Sequence, residues 1–292
     1  MIKLNHLLNF QVFLILFLLL ASCKRTVQIE DSAKELQTVY KDSLLSKTLN
    51  QYVRFNYSLP ESYADSLHFP LIYLLHGHGG TENDWFGEDG GQAADILATM
   101  AKDSIIPPMI AVSIGAGNSW YVDSVEQMET FYLEEFIPYF ENKVNFTNQK
   151  QDRHLAGLSA GGFGGTRFSM KHPSLFQNVI LLSPAAYTPL PPLNSSSRKV
   201  AAFAADSTFS NSIWKSYSYK HLQTDFLKNK QHPRYHISTG DDDVFNIVPV
   251  VTDLQQFFLK NNIHSELRIT DGGHNWDCWN TNFKDGLISL FK

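Results

Sequence analysis

Cysteine is almost absent from this chain: Cys23 and Cys278 are the only two in 292 residues. Two thiols cannot build a disulfide framework or a multi-cysteine metal site. Positive charge is also in short supply. Twenty-four Lys and Arg against 29 Asp and Glu leave a net charge of −5. With no Lys/Arg-rich run, nucleic acid is excluded as the expected partner. The apolar run at residues 12–20 (VFLILFLLL) falls well short of the ~20 residues a spanning helix needs. What the chain has is an apolar fraction of 43% with 18% charged residues, enough to bury a sizeable core. Its length fits one large domain or two small ones.

The charge is unevenly spread, with Lys3 the only charged residue in the first 22. Lys3 and His6 precede the apolar run and Ala21-Ser22-Cys23 follow it, the order of a secretory signal over residues 1–22. Leu20-Ala21-Ser22-Cys23 resembles the lipobox of bacterial lipoproteins. That resemblance implies cleavage before Cys23, lipidation of its thiol and anchoring in the bacterial cell envelope. Several acyl chains on one residue anchor stably, where one chain binds only marginally. Lys24, standing where an inner-membrane retention signal would place Asp, favours the outer membrane. Residues 23–48 read as a tether and N-terminal segment, and the folded domain as residues 49–292.

From Leu49 onward, strand patterns alternate with helical ones. Residues 51–59 (QYVRFNYSL) alternate apolar and polar side chains, as a half-buried strand does. Leu71–Leu75 (LIYLL) is continuously apolar, the mark of a strand buried on both faces; Ile110–Ile114 and Asn178–Leu182 are similar. Met128, Phe131, Tyr132, Phe136 and Tyr139 share one helical face, and so do Val250, Leu254, Phe257 and Phe258. The alternation predicts an α/β fold, with a mainly parallel sheet covered by helices on both faces. Residues 187–230 break it, beginning with the Pro- and Ser-rich YTPLPPLNSSS. They read as an insertion over the sheet, not a second domain.

Gly157-Leu158-Ser159-Ala160-Gly161 matches G-x-S-x-G between a short strand and a helical stretch, the context a nucleophile elbow requires. A base is then needed to activate the Ser159 hydroxyl. Among 11 histidines, His274 sits in a Gly-rich loop near the C-terminus, just after the predicted strand at residues 264–270. Gly272 and Gly273 allow the tight turn that would aim its imidazole at Ser159. The predicted strand at residues 235–238 runs into Gly240-Asp241-Asp242-Asp243. A carboxylate there can orient the histidine and stabilise its cation, and residue type alone leaves all three aspartates open. His76-Gly77-His78-Gly79-Gly80, after the buried strand, is a turn able to present backbone N–H groups to an oxyanion, with the N–H of Ala160 as the second half. Its two histidines lack the further ligands that a zinc site needs. Gly115-Ala116-Gly117 lacks the third glycine of a dinucleotide fingerprint.

Together these segments resemble the esterase family of α/β-hydrolases that includes feruloyl and acetylxylan esterases of carbohydrate esterase family 1. The resemblance runs from about Leu49 to the C-terminus and is weakest over residues 187–230. It rests on the HGHGG loop with Glu82, Asn83, Asp84 and Trp85, and on Gly117-Asn118-Ser119-Trp120-Tyr121. Glu135–Tyr139, the elbow and Gly272-Gly273-His274-Asn275-Trp276 with Trp279 complete it. It implies an α/β-hydrolase fold and a serine carboxylic-ester hydrolase that needs no cofactor or metal. The family pattern G-x-x-D selects Asp243 as the acid, and position matching selects His78 as the second oxyanion donor. The implied substrate is an acylated carbohydrate ester of feruloyl or acetyl type. Trp85, Asn118, Trp120, Trp276 and Arg198 are the candidate substrate contacts, with Ser195, Ser196 and Ser197 beside Arg198. Acyl transfer to a sugar or lipid hydroxyl would use the same triad. A non-catalytic binding lipoprotein would not need it complete.

Overall fold

The computed structural model describes residues 37–144, 146 and 149–291. The expected signal segment and the lipidation site Cys23 lie outside them. Among the described residues, ten strands form in chain order: β1 (Val39–Ser46), β2 (Gln51–Ser58), β3 (Leu71–Leu75), β4 (Ile110–Ile114), β5 (Arg153–Leu158), β6 (Asn178–Leu182), β7 (Ala204–Ala205), β8 (Thr208–Phe209), β9 (Arg234–Gly240) and β10 (Ser265–Thr270). Eight of them make one sheet in the order β1-β2-β4-β3-β5-β6-β9-β10. The β1–β2 and β2–β4 pairs are antiparallel, and the six strands from β4 to β10 run parallel.

Among the described residues, eight helices accompany the sheet: α1 (Ala93–Lys102), α2 (Met128–Thr130), α3 (Ile137–Lys143), α4 (Ala160–Lys171), α5 (Asn211–Tyr217), α6 (Tyr219–Leu227), α7 (Ile247–Lys260) and α8 (Trp276–Phe291). A π-helical turn, Phe131–Phe136, joins α2 to α3. Alternate residues of the central strands feed two cores. Tyr73, Leu155 and Leu181 face the aromatic-rich layer that holds Phe136, Phe168 and Phe258. Ile72, Ala156 and Ile180 face the layer under α1 and α8, with Leu97, Phe283 and Leu287. This two-sided burial is why β3, β4 and β6 read as continuous apolar runs and not as alternating ones.

The folded unit starts earlier than the expected boundary at Leu49. β1 occupies residues assigned to the N-terminal segment and pairs with β2 along its whole length. Its sequence, VYKDSLLS, has no clean period of two because it lies at the sheet edge, where Lys41 and Asp42 stay solvated. The turn after it is held by Glu135. That carboxylate accepts hydrogen bonds from the Ser46 hydroxyl and from the N–H groups of Lys47 and Thr48 (2.8, 2.8 and 3.1 Å). The 187–230 insertion contributes to the same aromatic layer as the sheet. Trp214 of α5 is fully buried against Phe163 of α4, Trp120 and Phe203.

Two buried histidines on the sheet set an acid limit to stability. Neither ring nitrogen of His154 on β5 or of His236 on β9 has a hydrogen-bond partner among the described residues. Burial disfavours the imidazolium and pushes His154 down to about 3. Burial, helped by the Arg268 charge, pushes His236 down to about 4. Both are neutral when folded, whereas an unfolded histidine titrates near ~6.5. As pH falls below that point the unfolded chain binds the extra protons. Stability is therefore lost at about 1.4 kcal/mol per pH unit for each histidine. Urea unfolding between pH 6.5 and 5 should show this slope, and His154→Leu should reduce it by about one proton. An unchanged slope in the variant would contradict this account.

Candidate active site

Ser159 stands between β5 and α4 with φ 53° and ψ −115°, a strained conformation for a residue with a side chain. The surroundings over-determine it. Its N–H donates to Leu182 O, and its carbonyl accepts from Phe163 N and Ala185 N (2.9, 3.0 and 2.9 Å). The flanking glycines are sterically required: a Cβ on Gly157 would run into the Gly161 carbonyl, and one on Gly161 into that of Leu75. The strand is thus free to turn sharply and leave the serine side chain standing clear of it.

Two loops at the carboxyl ends of neighbouring strands converge on that hydroxyl. His274 follows β10, and its Nε2 lies 2.9 Å from Ser159 Oγ. Its Nδ1 lies 2.7 Å from Oδ2 of Asp243, which follows β9. The two loops are stitched together: Asp241 N donates to Thr270 O and Asp242 N to Gly272 O (2.9 and 3.0 Å), while Asp241 Oδ1 accepts from Gly272 N (3.2 Å). Gly240 approaches Gly272 so closely that a Cβ would collide with its carbonyl.

Of the three aspartates only Asp243 is buried; Asp241 and Asp242 are exposed. Burial alone would raise the Asp243 carboxyl. Its bond to His274, the His274 charge and the Phe245 N–H at 3.0 Å outweigh that and hold it below the ordinary aspartate range. The His274 ring is gripped by two edge-on aromatics, Phe245 at 4.7 Å and Trp279 at 4.9 Å. Trp279 is fixed in turn by its indole N–H to the Ser183 hydroxyl (3.2 Å).

The HGHGG loop lies against the elbow: a Cβ on Gly77 would sit 3.5 Å from that of Ser159. Buried His76 ties the loop down. Its Nε2 accepts the Ala116 N–H at 2.9 Å, which places the ring proton on Nδ1, 2.7 Å from the Gly77 carbonyl. The Tyr121 hydroxyl donates to the His76 carbonyl at 3.1 Å. Gly79 N donates to Asn118 Oδ1 (2.8 Å) and Gly80 N to Gly77 O (3.2 Å). The N–H groups of Gly77 and His78 make no backbone hydrogen bond among the described residues. Ala160, first residue of α4, has an N–H ahead of the helix's own acceptors, at the positive end of its dipole.

Several expected substrate contacts turn out to be supports. Trp85 is fully buried under the loop, edge-on to Trp276 and Phe283 at 5.4 and 5.1 Å. Trp120 is 2% exposed and packs among Phe163, Phe203 and Trp214, because its layer is the main aromatic core. Arg198 turns inward. Its Nε donates to the Pro191 carbonyl at 3.0 Å, and its guanidinium lies 4.6 Å over the Phe209 ring. A Pro-rich stretch has few backbone N–H donors of its own, and Arg198 supplies donors to the Pro191 and Pro192 carbonyls. Ser195 and Ser197 are buried and share a hydrogen bond (2.9 Å). Asn118 is exposed at the loop, and Trp276 is half-buried against Trp85 and Trp279. Phe245, His76 and Tyr121 carry site geometry that residue spacing did not single out. The only earlier signal was their position, two residues after Asp243 and within the two loop motifs.

Residues 46–290 match the family named Esterase. The chain belongs to that family. It is a carboxylic ester hydrolase with an α/β-hydrolase fold. An acetyl esterase of Caldicellulosiruptor saccharolyticus is 27% identical over 239 residues, 74% of this chain and 81% of that one. An endo-1,4-beta-xylanase/feruloyl esterase of Xylanibacter ruminicola is 29% identical over 149 residues, 49% of this chain but only 20% of that longer protein. Among solved structures, a ferulic acid esterase superposes with a TM-score of 0.75 at 25% identity, covering 87% of this chain and 98% of that one. S-formylglutathione hydrolase FrmB of Staphylococcus aureus shares the fold at TM-score 0.71 and 15% identity, covering 88% and 99%.

Proposed function

We propose that this esterase works through an acyl-enzyme on Ser159 and that its substrates are acylated carbohydrates of acetyl or feruloyl type. The observation that carries the mechanism is the hydrogen-bond chain Ser159 Oγ–His274 Nε2 (2.9 Å) and His274 Nδ1–Asp243 Oδ2 (2.7 Å). The Asp243 carboxylate accepts a hydrogen bond from Nδ1–H, which keeps the ring proton on Nδ1 and leaves Nε2 as the free base. Ser159 Oγ attacks the ester carbonyl as its proton passes to Nε2. The carbonyl oxygen becomes an oxyanion held by the N–H groups of His78 and Ala160. Collapse expels the alcohol, which takes the proton from His274. Water then enters, gives a proton to Nε2 and attacks the acyl carbonyl; the proton returns to Ser159 Oγ as the acid leaves.

The substrate class is supported by the acetyl esterase and the two feruloyl-esterase relatives, not by a contact in the site. A panel of acetyl, feruloyl and longer acyl esters, in sugar-linked and simple alkyl forms, tests it on the detergent-solubilised full chain. Higher kcat/KM on the sugar-linked acetyl or feruloyl esters is the expected result. Equal or better turnover of simple alkyl esters of long acids would reject it. Lipid anchoring at Cys23 is a further part of the proposal, supported by the Leu20–Cys23 motif after the apolar run. Cys23→Ala should abolish incorporation of labelled fatty acid and leave unprocessed precursor. A variant that still takes up the label would reject the lipoprotein assignment.

A further inference from the structure

A cleft of about 470 Å³ opens directly beside the oxyanion loop. His78 and Asn118 line one wall, Ser124 and Glu126 continue it, and Lys199 and Ala202 of the insertion form the other. The Ser124 hydroxyl donates to Ala202 O at 3.0 Å and joins the two walls. None of the steps assigned to Ser159, His274 and Asp243 uses this space, yet its inner end is the residue expected to hold the oxyanion.

The hydrogen-bonding groups that face it are biased to one kind. His78 Nδ1 accepts the Trp120 indole N–H at 3.3 Å, so the ring proton is on Nε2 and the open end of the imidazole is a donor. Burial, and then the charge of Lys199, hold His78 below the ordinary histidine range and keep it neutral. Asn118 has its oxygen taken by Gly79 N–H at 2.8 Å, which leaves its amide NH₂ as the free group. Lys199 is exposed and has no ion-pair partner among the described residues. Glu126 is the only carboxylate lining the cleft, and its Oε1 is engaged by Gln51 Nε2 of β2 at 3.5 Å. The lining of this cleft beside the HGHGG loop thus offers one unpaired ammonium and two neutral donors against one exposed carboxylate, Glu126.

We propose that this cleft binds an anionic group on the ester substrate, namely the carboxylate of an acylated acidic sugar, and that Lys199 determines that preference. The assignment rests on Ser159 being the nucleophile beside it. An ammonium at a partly open site offers a carboxylate modest but distance-dependent attraction, which distinguishes charged from neutral substrates more than it speeds either. Neutral sugars of the same shape lack that attraction. Two donors of fixed orientation, His78 Nε2 and Asn118 Nδ2, suit the two oxygens of a planar carboxylate.

The test compares three esters on the full-length protein: an acetylated neutral glycoside, the matching acetylated uronate, and a hemisuccinate of the neutral glycoside. The readout is the ratio of kcat/KM for each charged ester to that for the neutral one. The uronate should be preferred, through KM, with the preference shrinking as salt is raised. Lys199→Gln should reduce the ratio about fivefold, the scale of one partly exposed ion pair, and Lys199→Arg should restore it. A Lys199-dependent preference for the hemisuccinate would support the anionic subsite and move the anion to the acyl side. Equal ratios in wild type and Lys199→Gln for both charged esters would overturn it. Fluorophosphonate labelling of Ser159 separates the two failures. A chain that labels and hydrolyses the neutral ester but shows equal ratios loses only the subsite, and one that does neither loses the nucleophile.

Discussion

Ser159→Ala should abolish nearly all ester hydrolysis while leaving the protein folded. The hydroxyl is the only part of the residue that the proposed chemistry uses. The elbow's shape rests on Gly157, Gly161 and the backbone bonds of residue 159 to Leu182, Phe163 and Ala185, all of which alanine retains. Losing one member of such a triad costs on the order of 10⁴–10⁶ in turnover, with residual catalysis from the oxyanion donors. His274→Ala should be nearly as inactive. The double variant should be no worse than the poorer single one, because base and nucleophile act as a unit across the 2.9 Å bond between them. Turnover of a small activated ester by all four proteins, with circular dichroism of each, decides the matter. Folded Ser159→Ala with wild-type-like activity, or strictly multiplicative losses in the double variant, would overturn the mechanism.

Asp243→Asn is expected to cost about 10⁴ in kcat through the histidine tautomer. The carboxylate accepts from three donors, His274 Nδ1 at 2.7 Å, Phe245 N at 3.0 Å and the Thr239 hydroxyl at 3.4 Å. An asparagine can keep its oxygen on the Phe245 N–H, but its NH₂ then faces Nδ1. The imidazole answers by carrying its proton on Nε2, where it can no longer accept one from Ser159. Asp241→Asn keeps an oxygen for the Gly272 N–H, and the exposed Asp242 side chain has no such duty. Both variants should stay within about threefold of wild type, a range expected of solvated surface substitutions. Steady-state kinetics of the three variants checks this. A loss at Asp242 as large as at Asp243 would reassign the acid.

The supports around the site explain why the geometry holds. His76, Tyr121 and Asn118 fix the HGHGG loop by hydrogen bonds to backbone groups, and Phe245 and Trp279 hold the His274 ring edge-on. None of these touches the reacting atoms in the proposed mechanism; each removes a freedom that would otherwise blur a 2.7–2.9 Å alignment. The aromatic layer reaching from Phe55 through Phe136 to Trp214 is the rigid floor on which the insertion and the Trp120 loop rest.

Much of the chain was legible from local pattern. β3, β4 and β6 are apolar runs because both faces of the central sheet are covered, and that signal is local and strong. Ser159 and His274 could be singled out because a strained turn and a tight loop need glycine at fixed offsets, a constraint written in adjacent residues. β1 was not legible, since an edge strand needs no buried face and its YKDS stretch shows no period. Residue type left Asp241, Asp242 and Asp243 open and only the family resemblance pointed to Asp243; the tertiary structure supplies the reason, because which carboxylate meets the imidazole depends on how two loops 31 residues apart are stitched together. It also decided the fate of the tryptophans and Arg198. Large aromatic side chains fit a core and a binding cleft equally well as residue types. Only the packing of the insertion against Phe163 and Trp120 turned Trp120 inward, and only its folded course brought Arg198 onto the Pro191 carbonyl and left Lys199 lining the cleft with no ion-pair partner among the described residues.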